Sequence, residues 1–233
     1  MRLHRFYIQN AHFETLTVSS AFVCTEESLV RQIHTVLRAK IGDAARFFNE
    51  TGEIECAIEK IDKKEIGCKV SAKIEPLMQK KKVYLVQSLI KKDKFEWVAQ
   101  KCTELGVTDI IPVISERSEK RGLDEERLQK IIIEATEQSG WGNVPTLHVI
   151  LSLDEALAYL ENKEVKIYML DMIGSKKEKS DRRDEALCIG PEGGWGEGDK
   201  SIFTKRSVHT ISLGTSTLRA ETAAIVGVYE CMR

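Results

Sequence analysis

The sequence predicts two architectures in one chain: a small all-β barrel over residues 1–71 and an α/β domain with a parallel sheet over residues 83–233, joined by a linker at 72–82. Three observations carry this reading. Short alternating runs separated by turn residues fill the first part. From Val83 the period changes, and apolar strands alternate with helical stretches. Near the C-terminus two glycine-bearing turns each follow an apolar run and precede a helix, a position where open α/β sheets bind ligands.

In the first part, strand-like pieces occur at Arg5–Ile8, Ala45–Phe48, Glu53–Ile58 and Gly67–Ser71. Turn signals lie at Ile41-Gly42-Asp43 and Asn49-Glu50-Thr51-Gly52, and one helical segment spans about Ser28 to Leu37. Basic and imidazole side chains gather here: Arg2, His4, Arg5, His34, Arg38, Lys40 and Arg46. They read as phosphate and sugar contacts, which position a nucleic acid without reading its sequence, or as a solvated face, since acidic residues nearly balance them. In the linker, Glu75-Pro76 disfavours helix, and Lys80-Lys81-Lys82 reads as a solvated border, with phosphate contact as the alternative.

The second part opens with an apolar strand, Val83–Leu89. Asp93 is expected to cap the next helix with Glu96 three residues on, and Gly106 to stop it. Phe95, Val98, Ala99, Cys102 and Leu105 share one face; Lys94, Trp97, Lys101 and Glu104 line the other. Strand Asp109–Ile114 leads to Ser115–Ser118, where Arg117 is suited to an anion, and a helix follows from Asp124 to Gln138. Ser152 and Glu155 form a capping box for a helix to Leu160. Strand Val165–Leu170 ends in a loop, Asp171–Gly174, and the lysine- and arginine-rich stretch at 176–183 reads as solvated surface, with RNA contact as the alternative. The last helix, Ala220–Met232, is apolar nearly all round and so buried. Its small stripe of Ala220, Ala224, Gly227 and Cys231 suits close packing, either in the monomer core or between two copies.

Composition narrows the function. The 233 residues carry a formal charge of −1, so an RNA partner would be held by a local patch rather than a global field. The six cysteines are scattered without a C-x-x-C pair, which argues against a zinc site and a disulfide framework. They fit small core residues in a reducing cytoplasm. The N-terminal residues lack the apolar run of a signal peptide, and no apolar run reaches membrane-spanning length.

The chemistry concentrates in Cys188–Gly194 and Ser212–Thr222. Glycines at 190, 193 and 194 permit a sharp turn close to a ligand, and Pro191 stiffens it. Such turns offer peptide groups, suited to the edge of an adenine ring. The spacing fits neither a dinucleotide fingerprint nor a P-loop, which weakens a doubly wound nucleotide-dependent enzyme as an alternative.

The runs Gly190–Gly194 and Leu213-Gly214 … Leu218-Arg219-Ala220-Glu221-Thr222-Ala223 resemble the signatures of the RsmE family, SPOUT-class methyltransferases that modify N3 of a uridine in 16S ribosomal RNA. The resemblance extends through Lys94–Ser118 and Glu134–Pro145 and, more weakly, His34–Arg38 with Gly42-Asp43. It departs at Ser139 and Trp141, where the family has cysteine and arginine, at Thr215-Ser216 in place of Pro-Arg, and at Gly196 in place of a serine-like cap.

The resemblance implies an N-terminal PUA-like barrel that grips RNA and a C-terminal trefoil-knotted SPOUT domain. It implies S-adenosylmethionine held by Leu170, Asp171, Ile189, Gly190, Pro191, Glu192, Gly193, Gly194, Ser212, Leu213, Gly214, Thr217 and Leu218. Arg219 would stabilise charge on the uracil oxygens, with Arg5 second, and Glu221 would accept the N3 proton. RNA contacts would come from Arg2, His4, Arg5, His34, Arg38, Lys40 and Arg117. The partners implied are 16S RNA or the small ribosomal subunit and a second copy of the chain, in the cytoplasm, with no metal and no membrane. The alternatives are a SPOUT enzyme acting on another RNA, such as transfer RNA, and a non-catalytic assembly factor.

Overall fold

The structure, a computed structural model, describes residues 3–118, 122–177 and 183–233. Arg2 and the middle of the charged 176–183 stretch lie outside the described residues. The chain divides into two compact units, Met1–Met78 with Gly140–Asn143, and Gln79–Ser139 with Val144–Arg233.

The first unit contains strands β1 (His4–Tyr7), β2 (Ala21–Cys24), β3 (Ala44–Asn49), β4 (Gly52–Ile61) and β5 (Ile66–Ile74). They form one sheet in the order β1-β3-β4-β5-β2. Alternation places Phe6, Phe47, Ile54, Cys56, Ile58, Cys68 and Val70 on the buried side. Helix α1 (Glu27–Arg31) continues as a wider turn over Gln32–Val36 and adds Leu29, Val30 and Ile33 to that core. Phe22 lies 5.0 Å from Phe47 and 5.6 Å from Phe13, between ring centroids. Strand β2 is absent from the sequence expectation: four residues, two of them exposed, give too short a pattern. Residues 72–74, expected in the linker, complete β5 because Glu53 and Ile54 offer pairing partners to Ile74 and Lys73.

The second unit is a seven-stranded parallel sheet with helices on both faces. In chain order it contains β6 (Val83–Ser88), α2 (Lys92–Leu105), β7 (Asp109–Ile114), α3 (Glu125–Ser139), β8 (Thr146–Leu147), β9 (Leu151–Ser152) and α4 (Leu153–Glu161). Then come β10 (Lys166–Lys176), β11 (Glu185–Ile189), α5 (Glu197–Lys205), β12 (His209–Ser212) and α6 (Ala220–Met232). The order is β12-β10-β11-β6-β7-β8, with β9 also on β7. Every residue of β6 and β11 is buried, as expected of central parallel strands covered on both faces. Val83, Leu85, Leu187 and Ile189 meet α2, α3 and α6; Tyr84, Val86, Ala186 and Cys188 meet α4 and α5.

The capping box of α4 forms as expected, with Ser152 and Glu155 reciprocally bonded. Gly106 ends α2 at φ 98°, a left-handed conformation open to glycine. At the start of α2 the expectation is corrected: Lys91 is the cap, and Asp93 lies within the helix. Glu96 does not turn back, because Arg127 of α3 holds its carboxylate at 2.7 and 2.9 Å.

Two expectations of solvated charge are also corrected. Lys81 of the linker and Lys177 of the charged stretch both point inward, 9% and 6% exposed, and hold the buried Glu185 at 2.9 and 3.1 Å. Lys177 also reaches the carbonyl of Glu230, so the cluster ties β6, β10 and β11 to the end of α6. The small stripe of α6 faces the monomer's own sheet: a Cβ at Gly227 would strike the Leu187 side chain.

Two outcomes follow from this packing. Glu185→Leu leaves two buried ammonium groups without their carboxylate and should lower unfolding free energy by about 3–5 kcal/mol in chemical denaturation; a loss below about 1 kcal/mol would contradict the buried cluster. All six thiols are free and buried. Burial raises those of Cys102 and Cys188, and burial together with Glu185 takes Cys231 to about 12. A thiol-reactive chromogen at pH 8 should therefore label none of these three in the native protein and all of them once unfolded.

Candidate active site at three adjacent strand ends

Strands β12, β10 and β11 lie side by side, so the turns that follow them converge at one edge of the sheet. The first is not the free loop expected at Asp171–Gly174 but a bulge within β10. Leu170 and Ser175 both pair with Ile211, which pushes the four intervening residues out and leaves Ile173 90% exposed at the tip. Gly174 lets the strand return, since a Cβ there would collide with the Ile211 backbone. The Thr217 hydroxyl donates to Met172 Sδ at 3.0 Å, joining this bulge to the third turn.

The second turn leaves β11 at Ile189. Gly190 lies against the Trp195 ring, where a Cβ would come within 3.2 Å. Gly194, at φ 68°, donates its N–H to Pro191 at 2.9 Å. Trp195 is buried, and its indole N–H donates to the Leu170 carbonyl at 3.1 Å, linking the second turn to β10. The third turn leaves β12 at Ser212, whose hydroxyl bridges the N–H and carbonyl of Gly214 at 3.3 and 2.9 Å. Gly214 has φ 150°. The chain then reaches Arg219, the cap residue of α6, whose carbonyl accepts from Ala223 at 2.8 Å.

These turns enclose a cavity of about 660 Å³. Every residue expected to hold the cofactor lies on its wall. So do Arg117, Lys200 and Arg219, three cations from three elements, and the carboxylates of Asp171 and Glu192. The remaining wall is largely aliphatic. Met172, Ile173, Ser216 and Ala220, which belong to the expected turns, line it as well, and Trp195, Lys200 and Ala223 do so without having been anticipated. Ala220 and Ala223, three residues apart at the start of a helix, carried a usable signal. Lys200 did not, since long-range packing alone brings it there.

The expected catalytic residues part company. Arg219 is exposed on the cavity wall. Glu221 does not line the cavity; its carboxylate lies 3.5 Å from Lys94, which is also 3.9 Å from Glu192. Arg5 is already engaged by groups of its own unit. It is 9% exposed, makes two hydrogen bonds to Glu53 at 3.0 and 2.9 Å, stacks 3.4 Å above the Phe48 ring centre and donates to the Trp141 carbonyl. A guanidinium so engaged would have to give up two hydrogen bonds to a buried carboxylate to reach RNA, leaving it only the longer 4.0 Å contact with Arg46. Arg46 pairs with Glu55 at 2.9 Å. His4 is half-buried beside Phe6, whereas His34, Arg38 and Lys40 are exposed on and after the turn that follows α1. Arg117 donates to the Gly193 carbonyl at 2.9 Å.

Comparison with known proteins agrees along the chain. The RNA methyltransferase domain matches residues 78–229, and the RNA methyltransferase PUA domain matches residues 33–71. Ribosomal RNA small subunit methyltransferase E of Rickettsia conorii is 31% identical, covering 98% of this chain and 94% of its own length. The protein of the same name from Bacillus subtilis is 30% identical, covering 96% and 93%. The crystal structure of a ribosomal RNA small subunit methyltransferase E from Neisseria gonorrhoeae bound to S-adenosyl methionine superposes with a TM-score of 0.86 at 27% identity, over 97% of this chain and 95% of that one. With both parts of the chain matched, the protein belongs to the ribosomal RNA small subunit methyltransferase E family, the SPOUT-class RsmE methyltransferases.

Proposed function

We propose that this chain uses S-adenosylmethionine to methylate N3 of a uridine in the 16S RNA of the small ribosomal subunit. The observation that carries the reading is the convergence of three peptide-rich turns on one cavity in a member of this family. The residues present fit the donor. The cavity falls within the roughly 300–1,000 Å³ of small-molecule sites. Gly194 and Gly214, at φ 68° and 150°, supply the positive-φ backbone that these turns need. Leu170, Ile189, Leu213 and Leu218 would enclose a flat ring, with Asp171 and Glu192 set against positive charge.

S-adenosylmethionine, when bound, supplies a methyl group on a positively charged sulfur. The three turns hold and orient that donor, and alignment of this kind supplies up to about 7–11 kcal/mol of barrier reduction. Arg219, exposed at the cavity, stabilises negative charge developing on the uracil oxygens as N3 loses its proton. Lys94 lies near both Glu221 and Glu192, at 3.5 and 3.9 Å, and the carboxylates that line the cavity are Asp171 and Glu192. His34, Arg38 and Lys40 supply exposed phosphate contacts from the first unit. Among the described residues no helix is long and apolar enough to cross a membrane, and no group of His, Cys, Asp or Glu is placed to hold a metal ion. A cytoplasmic homodimer completes the reading, supported by the exposed Trp97 and Tyr229 on the packed helices α2 and α6.

Labelled S-adenosylmethionine, supplied with small subunits from a strain lacking this protein, should place its label on N3 of one uridine. Label confined to transfer RNA would move the substrate, and no labelled nucleotide would sink the enzymatic reading. Arg219→Ala should lower the methyl-transfer rate by about 10²–10³-fold while donor affinity, measured by calorimetry, stays within a few-fold. Gly194→Val, forcing a branched side chain into positive φ, should weaken donor binding by at least about tenfold.

A further inference from the structure

We infer that Glu116 and Arg117, on the loop after β7, are positioning residues for the cofactor turn after β11, and that Arg117 governs donor affinity rather than RNA affinity. The inference rests on the function proposed above.

In the sheet, β7 and β11 are separated by β6, so contact between their loops bridges the end of a central strand. The β7 loop is rigid enough to do this. The Ser115 N–H donates to Ser118 Oγ at 3.1 Å, the two hydroxyls lie 2.9 Å apart, and the Ser118 N–H returns to the Ser115 carbonyl at 3.1 Å. From this closed turn Glu116 and Arg117 grip the second turn at two places. The Arg117 guanidinium donates to the Gly193 carbonyl at 2.9 Å, and its Cβ and Cδ lie 3.6 Å from where a Cβ at Gly193 would stand.

The second grip acts at the start of α5, where the first amides of the helix lack partners within it. The Glu116 carboxylate accepts from Gly198 N–H at 2.8 Å. The Glu116 N–H donates to both oxygens of Asp199 at 3.2 Å, and buried Asp199 also accepts from Gly196 N–H at 3.0 Å. Gly196 therefore needs no capping side chain of its own: Glu116 occupies the space where its Cβ would stand. Two carboxylates at a helix N-terminus are also favoured by the macrodipole. Residues 193–198 are thus fixed at both ends by a loop from another strand. Glu116 does this without lining the cavity, and Arg117 does so with a group expected from sequence to take an anion.

The test uses the full-length protein with Arg117→Ala, Glu116→Ala and Glu116→Gln. Donor affinity is measured by calorimetry, affinity for a 16S RNA fragment across a salt series, and stability by thermal unfolding. Arg117→Ala and Glu116→Ala should each raise the dissociation constant for S-adenosylmethionine by about tenfold, equivalent to about 1.4 kcal/mol. Glu116→Gln retains an acceptor for Gly198 and should bind close to wild type. RNA affinity and its salt slope should not change in Arg117→Ala.

The inference is overturned if the alanine variants bind the donor as wild type does, even where thermal stability falls, since the residues would then be structural only. It is equally overturned if Arg117→Ala weakens RNA binding and reduces the salt slope by about one, the signature of a lost phosphate contact. Wild-type protein that binds no donor would instead defeat the functional reading on which this one stands.

Discussion

Parallel pairing of β10 between β11 and β12 is the constraint from which the site follows. Parallel strands end at the same edge, so three consecutive neighbours deliver three turns to one place. The bulge in β10 adds what regular pairing cannot. By returning twice to Ile211, the strand pushes Asp171–Gly174 over the cavity while still pairing beyond them. The indole of Trp195 then fixes the spacing between β10 and the glycine turn through one hydrogen bond to Leu170.

The opposite end of the same layer is held by charge. Helix α6 begins with Ala220 on the cavity wall and ends with Cys231 beside Glu185. Its small residues let it lie close on Leu187, and the contact of Lys177 with Glu230 anchors its last turn. A buried carboxylate between two ammonium groups is weak as a source of net stability but costly to break. Its consequence here is positional: it fixes the end of the helix whose beginning carries Arg219 to the site.

What the sequence made legible was local. The Ser152 capping box, the Gly106 stop, the face of α2 and the boundaries of β7 all depend on neighbours within a few positions, and all were found. The glycine turns were legible for the same reason, since their conformations are written in residues that tolerate positive φ. The expectations of a trefoil knot and of an S-adenosylmethionine pocket came from family resemblance, not from periodicity. What escaped was pairing over long separations. Lys81 and Glu185 are 104 positions apart, Arg5 and Glu53 are 48, and Glu116 and Gly198 are 82. Lys81 looked like surface charge and Arg5 like an RNA contact because composition shows how many charges a segment has, not which are neutralised from elsewhere. Asp93 failed differently: Arg127 removed the Glu96 carboxylate that would have completed its cap.

That distinction bears on how a chain of net charge −1 meets a polyanion. Of the basic side chains that looked available for RNA, Arg5 and Arg46 are neutralised within their own sheet, and Lys81 and Lys177 within the second unit. His34, Arg38, Lys40, Lys200 and Arg219 remain exposed or at the cavity. Coulombic attraction for phosphate is therefore set by a few positions rather than by the total, and the salt dependence of binding should count those few. Arg117 lies between the two groups, exposed yet already bonded to Gly193, which makes it the residue whose removal best separates attraction for RNA from the shape of the donor pocket.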